Sequence, residues 1–327
     1  MAEQMQWYRC PIDKKRLKQL MRRSDRPAII HFSIYFSVLI GLGALVAFTW
    51  GSAWAVPAMI GYSMVWAFAN ANVHEACHGT PFRTRWLNET VLFVSGWMVQ
   101  MEPVAVRWTH SGHHTYTSFE ADDSELALSN PISWGEFFLQ LTGLGSIQHY
   151  YAELIGLALG RTNAHNRDAI PADQLVRCKW NARAYLAAYA AVVGGAVAAA
   201  SWLPVALLLA PRFVGAPMYG MLRVTQHTGL AMNVQDHRLT TRSFYTNPVL
   251  QFFYLNMNFH VEHHMFPMVP FYNLPALHEE LKDKLPEPNH GLVEAYREIV
   301  STVHRQQTEP GFFVHKLRPE AGFAQAA

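Results

Sequence analysis

Apolar residues along this chain come in long unbroken runs rather than in short alternations. Residues 27–73 contain no Asp, Glu, Lys or Arg, and neither do residues 184–211. A bilayer core about 30 Å thick takes roughly 20 helical residues to cross. The first run therefore predicts two spans, at about 28–50 and 53–73, turning near Gly51 and Ser52. The second run continues past Arg212 and predicts two more, at about 183–201 and 204–222, joined by a short turn. An arginine at that depth must snorkel or face protein, which shortens, tilts or breaks the fourth helix. Two further apolar runs, 90–101 and 137–152, are too short or too polar to span and predict helices lying in the interface. Residues 187–200 are rich in alanine and hold Gly194 and Gly195, a composition that serves close helix packing. After Pro286 and Pro288 comes a C-terminal arm in which 291–307 reads as an amphipathic helix followed by a loose tail. The expected division is a basic N-terminal segment at 1–27, a membrane domain with its cap at 28–285, and the arm and tail at 286–327.

Charge sets the orientation. Lys14, Lys15, Arg16, Lys18, Arg22, Arg23 and Arg26 precede the first span, Arg83 and Arg85 follow the second, Arg177, Lys179 and Arg183 precede the third, and Arg223 follows the fourth. Both hairpin turns carry none, so both termini and the long polar segments are expected on the cytosolic side. The first 26 residues are polar, and the apolar run behind them is longer than a signal-peptide core and has no convincing cleavage site, so it should stay in the mature protein. Charged residues make up 15% of the 327, against about 25% in soluble domains, which argues against an ordinary cytosolic globule. A mean hydropathy of +0.01 leaves the rest polar enough for a sizeable aqueous portion. A net charge of +2 argues against nucleic-acid binding as the main activity. Cys10, Cys77 and Cys178 are an odd number with no CxxC pair, which excludes a disulfide framework and an iron–sulfur or zinc-ribbon module. The expected fold is an all-α integral membrane protein with four transmembrane helices in two hairpins and a cytosolic helical cap.

Seventeen histidines are the outlier of the composition, since neutral imidazole is the commonest metal ligand. Eight of them fall in three tight clusters: His74-Glu-Ala-Cys-His78, His110-Ser-Gly-His113-His114 and His260-Val-Glu-His263-His264. Residues at i, i+3 and i+4 share a helix face, so each cluster can present two or three imidazoles to one point. The first begins where the second span ends and the others lie in cytosolic segments, so all three can meet at one membrane face. His227 in Gln226-His227-Thr228, just past the fourth span, is a ninth candidate. One metal cannot use so many ligands, so the count points to two metals, and we expect two irons with open positions for dioxygen. Glu75, Glu262, Asp122 and Asp236 are candidates for holding the second ring nitrogens. His31, His165, His237, His278, His290, His304 and His315 are isolated and read as structural or surface residues, with His149 undecided.

The boxes HEACH, HSGHH and HVEHH, their order, the two hairpins of spans and the QHT after the fourth resemble the membrane-bound fatty acid desaturase superfamily over about residues 28–285. The resemblance implies a di-iron, oxygen-dependent oxidoreductase with a cytosolic metal site. It carries ligand roles onto His74, His78, His110, His113, His114, His227, His260, His263 and His264. The short first box resembles bacterial and plant acyl-lipid desaturases more than the acyl-CoA type, and His260 at the head of the third box sets the chain apart from front-end desaturases. The stretch 256–274, NMNFHVEHHMFPMVPFYNL, is similar to bacterial members, placing the protein in a bacterial inner membrane. Some such members resemble oxygenases of small molecules served by a Rieske-type ferredoxin.

The function expected is therefore desaturation of a fatty acyl lipid. Hydroxylation (a monooxygenase outcome) or oxidative demethylation of a small molecule or carotenoid is the alternative on the same scaffold. Each turnover needs two electrons, and GLGAL at 41–45 and GLGSI at 143–147 lack the context of a dinucleotide fingerprint, so a separate ferredoxin and its reductase are the expected partners beside the lipid or other apolar substrate. Arg83, Arg85, Arg177 and Lys179 are candidates for docking that donor, with topology signals as their simpler reading. HEACH also satisfies HExxH, the zinc-protease pattern, a rival that leaves six other box histidines idle. A metal transporter would place ionisable residues inside the spans, where only His31 occurs.

Overall fold

The computed structural model describes residues 5–163 and 169–316, all in helices, turns and loops with no strand among them. His165 and the tail from 317 onward lie outside the described residues. The all-α expectation holds. The chain forms two units, one of Ser24–Thr109 and Gln140–Met221, the other of Met1–Arg23, His110–Leu139 and Leu222–Ala327.

In the first of these units the helix Asp25–Thr49 runs 25 residues, long enough for the bilayer core. Ala28, Phe32, Tyr35, Leu39 and Val46 bury one face, while Ile29, Ile30, Ile34, Ile40, Leu45 and Phe48 remain exposed. Only 28% of its apolar window is buried, whereas the core helix of a soluble protein would be covered on most sides. Among the described residues it is the one helix both long and apolar enough to cross a membrane.

The other expected spans take a more broken form. Residues 53–73 are carried by Ala55–Ala67 and Ala69–Cys77, which meet at Phe68. There the Asn70 side-chain amide donates to the Ala67 carbonyl at 2.8 Å, competing with the backbone ladder. The third lies inside Leu175–Ala198, whose first turns carry Arg177, Lys179 and Arg183. The fourth is divided into Leu203–Leu208, Ala210–Val214 and Ala216–His227. Arg212 is buried and turned onto Gln100 Oε1 at 2.8 Å, so it faces protein, one of the two outcomes its depth allowed. Gly215 packs so closely that a Cβ there would lie 2.1 Å from the Ser63 carbonyl oxygen. Residues 90–101 fall largely within Arg85–Val99, and 137–152 divide into Trp134–Thr142 and Leu144–Ala158 at Gly143, whose φ of +67° ends the first helix. Val104, Ala105, Leu154, Leu157, Cys178, Ala182 and Tyr185 form a buried apolar cluster in this unit.

In the other unit the basic N-terminal segment is structural as well as charged. Asp13 caps Lys14–Leu20 through the Arg16 amide, and Leu17 and Leu20 pack against Phe259, Val261, Met265, Leu274, Leu277 and Leu281. The helix His260–Met265 has six residues, too few to persist alone, and every one is buried in this core. Arg242 is fully buried and donates to the carbonyls of Thr225 and Thr228 and to Glu298, tying the end of Ala216–His227 to the C-terminal helix. That helix, Leu292–Gln306, buries Ala295, Ile299, Thr302, Val303 and Gln306 along one stripe, the amphipathic pattern expected of the arm.

Candidate metal centre

The second box lies on Pro103–Tyr116 and the third on His260–Met265, and His227 closes Ala216–His227. Ring nitrogens of His113, His227 and His264 lie within 4.8 Å of one another, and so do those of His110, His114 and His263. His260 stands between members of the first trio, its Nε2 3.2 Å from the Nε2 of both His227 and His264. His110 and His114 also face each other Nε2 to Nε2 at 3.2 Å. Seven of the nine predicted ligands thus converge within one unit. The first box belongs to the other unit, where His74 lies in the last turn of the helix Ala69–Cys77 and His78 caps it, their ring centroids 5.7 Å apart.

Partners on the outer ring nitrogens decide what the inner ones can do. His227 Nδ1 lies 2.9 Å from the Thr240 carbonyl oxygen, which can only accept, so Nδ1 carries the proton and Nε2 of the neutral ring is a bare lone pair. The Thr117 hydroxyl donates to the His113 carbonyl at 2.7 Å, so it must accept from His264 Nδ1 at 3.1 Å, leaving His264 Nε2 bare as well. His110 Nδ1 donates to Glu125 at 2.9 Å and His113 Nδ1 to Asp123 at 2.8 Å. Lone pairs converging at such distances repel unless a cation or proton sits between them. Imidazoles held by their outer nitrogens on carboxylates and carbonyls are the arrangement of metal-binding histidines, and the donor set suits iron.

Electrostatics agree. Burial pushes His227 down to about 3, helped by His113, and pushes His264 well below its ordinary value, helped by the rings of His114, His260 and His227. Burial by itself would raise Asp123 and Glu125, but His113 and His110 overcome it and hold both carboxyls at about 2. Both therefore remain ionised acceptors. Burial lowers His113, but the charges of Asp123 and Glu125 and the hydrogen bond to Asp123 together outweigh it, so its net shift is upward.

The sequence misplaced these supporting carboxylates. Asp122 is exposed, and its neighbour Asp123 is the buried partner. Glu262 accepts from the Ser243 hydroxyl at 2.7 Å and pairs with His278, Asp236 is engaged by Arg238, and Glu75 accepts from the Thr80 hydroxyl at 2.8 Å. Two histidines read as isolated are part of the surroundings. His237 lies 5.2 Å from the His264 ring and is stacked on Trp7 at 4.0 Å, while His278 bridges Glu262 and Tyr245. His31 is buried beside Phe32, and His149, His290, His304 and His315 are exposed. The acidic run 122–125 directly after the second box, in a charge-poor chain, was the available signal for Asp123 and Glu125. What it could not show is that Ser118, at φ +61°, turns the chain back so that Asp123 accepts from the Ser118 amide at 2.8 Å.

A helical protein with clustered imidazoles, several bonded at their outer nitrogens, has a histidine constellation that could hold metal ions. The fatty acid desaturase family matches residues 48–296, about three quarters of the sequence, and the chain belongs to that family. No curated protein matches it. Membership and the histidine clusters make it an oxidoreductase of the desaturase or hydroxylase type, in a family that is membrane-associated.

Proposed function

We propose that this protein is an O2-dependent di-iron desaturase of fatty acyl lipids in a bacterial inner membrane, with His74, His78, His110, His113, His114, His227, His260, His263 and His264 as ligands to two iron ions. The observation that carries the reading is the set of facing Nε2 atoms at 3.2 Å among five rings, three of which, His110, His264 and His227, are held from outside by Glu125, Thr117 and Thr240. The roles of His74 and His78 rest on their box in the sequence. Iron bound there supplies the oxidising chemistry that removes hydrogen from an unactivated carbon, which side chains alone cannot do. The chain's own contribution is orientation and proton inventory. Asp123 and Glu125 fix the tautomers of His113 and His110, and burial keeps His227 and His264 neutral and ready to ligate.

Four spans in two hairpins, with both termini and the metal site cytosolic, are supported by the one-sided distribution of Lys and Arg. A separate ferredoxin with its reductase is the proposed electron source, since no redox-cofactor motif other than the histidine boxes occurs in this sequence. Iron and zinc measured per chain on protein purified under low oxygen test the centre. About two irons and little zinc are expected, and one zinc without iron overturns the reading. Product analysis after turnover with a ferredoxin system then tests the reaction: an alkene in the acyl chain is expected, and an alcohol or a demethylated small molecule assigns the other outcome of the same scaffold.

A further inference from the structure

Three arginines converge on one carboxylate in the unit of Ser24–Thr109 and Gln140–Met221. Arg107 Nη2 lies 2.9 Å from Glu89 Oε1, Arg177 Nη2 3.8 Å from Glu89 Oε2, and Arg85 Nε 3.9 Å from Glu89 Oε1. Arg107 also donates from Nε to the Cys77 carbonyl at 3.2 Å, which fixes it in place. Arg85 and Arg177 differ from it. Their side chains are 86% and 53% exposed and reach Glu89 only beyond hydrogen-bond distance, so most of their five N–H donors each face outward. One carboxylate cannot neutralise three guanidiniums, and Lys179 and Arg183 on the helix of Arg177 have the same sign.

Exposed indoles lie on the same helices, Trp86 next in the chain to Arg85, Trp108 next to Arg107 and Trp180 one turn after Arg177. Trp86, Trp108 and Trp180 are 65%, 39% and 62% exposed, and the Arg183 guanidinium lies over the Trp180 ring at 5.1 Å. Exposed tryptophan beside arginine is the composition of a membrane interface, where the ring sits at headgroup depth and the guanidinium meets phosphate oxygens in a fork. We infer that Arg85, Arg107 and Arg177 with Trp86, Trp108 and Trp180 form a binding site for the phosphate of an anionic phospholipid. Charge complementarity selects an anion, and exposed indoles in a membrane-associated family set that anion at headgroup depth, which commits the site to a lipid phosphate. The inference uses the membrane association of the family and stands apart from the iron reading.

The test uses the full-length, iron-loaded enzyme in bilayer nanodiscs, with spin-labelled phosphatidylglycerol and phosphatidylcholine as probes. Electron paramagnetic resonance gives the immobilised fraction of each. The wild type is expected to prefer phosphatidylglycerol. Replacing two exposed charges in R85Q/R177Q should cut that preference at least about five-fold, the effect of one basic residue at an anionic surface. Glu89→Gln, which removes the internal counter-charge, should raise it. Equal preference in all three proteins overturns the site. Unchanged lipid preference together with a slower, less salt-sensitive reduction by an acidic ferredoxin in R85Q/R177Q also overturns it and assigns the patch to the electron donor. Circular dichroism of each variant identifies a folding defect, and Arg85→Gln alone, at a side chain with little structural role, then supplies the same comparison.

Discussion

Asp123 and Glu125 set the tautomers of His113 and His110 from outside, and neighbours of this kind typically account for 10- to 100-fold in metal affinity. Asp123→Asn and Glu125→Gln should each speed iron loss to a chelator about 10- to 100-fold, whereas Asp122→Asn, at an exposed side chain, should leave it unchanged. Equal rates for the Asp122 and Asp123 variants would remove the assignment. The same residues give a pH dependence to the metal-free protein. His227 and His237 are held neutral by burial with folded values of about 3, so the unfolded chain takes up more protons below about 6.5. Their contribution is fully present above 6.5 and is lost as pH falls from there toward 3. Asp123 and Glu125, depressed to about 2, add a second loss between about 4 and 2. His113, shifted upward, acts in the opposite sense, being most stabilising at low pH. Three buried rings, His227, His237 and His264, oppose that one, so melting temperatures of the metal-free protein should decline below pH 6.5. A flat profile from 7 to 4 would contradict the neutral assignment.

At the scale of elements, close backbone approach matters more than propensity. Gly220 sits in Ala216–His227 where a Cβ would lie 2.6 Å from the Gln140 carbonyl oxygen and 2.7 Å from that of Leu141, both rigid backbone. Gly220→Ala should therefore cost about 1–3 kcal/mol, seen as a lower denaturation midpoint, while Gly194→Ala, with nothing within 4 Å, should not. That pair separates two glycines that look alike in sequence. The composition of its helix marks Gly194 for packing, yet among the described residues nothing outside its own helix backbone lies within 4 Å of its Cβ position. Arg242 illustrates the converse, a charge that sequence reading passes over and that holds three partners in the interior. Arg242→Met should cost about 1–3 kcal/mol by removing the donor to the buried Thr225 and Thr228 carbonyls, with Glu298 keeping Lys316 at 2.9 Å. The short helix His260–Met265, with no independent stability, depends on such clamps for the aim of its imidazoles.

At the scale of the whole molecule the proposed four-span topology makes a direct prediction. Reporter domains inserted at residues 51–52 and 202–203 should report the far side of the membrane, and reporters at residue 130 and the C-terminus the cytosolic side. A far-side signal from the C-terminus would sink the arrangement. The broken helices of the fourth stretch, Leu203–Leu208, Ala210–Val214 and Ala216–His227, are compatible with a span only if their freed backbone groups and Arg212 stay turned toward protein, as the Arg212–Gln100 bond has it.

The histidine clusters, the all-helical class and the family were legible in the sequence because periodicity and motif spacing are local. Three histidines at i, i+3 and i+4 share a face whatever surrounds them, and a charge-free run of membrane length advertises itself. The amphipathic arm was readable for the same reason. What the chain order could not reveal were the partners brought in from afar or by a turn: Thr240 behind His227, Thr117 behind His264, Asp123 instead of Asp122, and Trp7 stacked on His237 across 230 positions. Breaks in the fourth expected span were partly within its reach, since Arg212 was expected to disturb that helix and the breaks at Leu209 and Gly215 lie two residues before Pro211 and Pro217, whereas the break at Phe68 lies beside the bond from the Asn70 side chain to the Ala67 carbonyl. Local pattern determines which groups share a face. Only folding decides which distant acceptor takes the proton from each ring, and for His227 and His264 that choice leaves Nε2 as the lone-pair nitrogen.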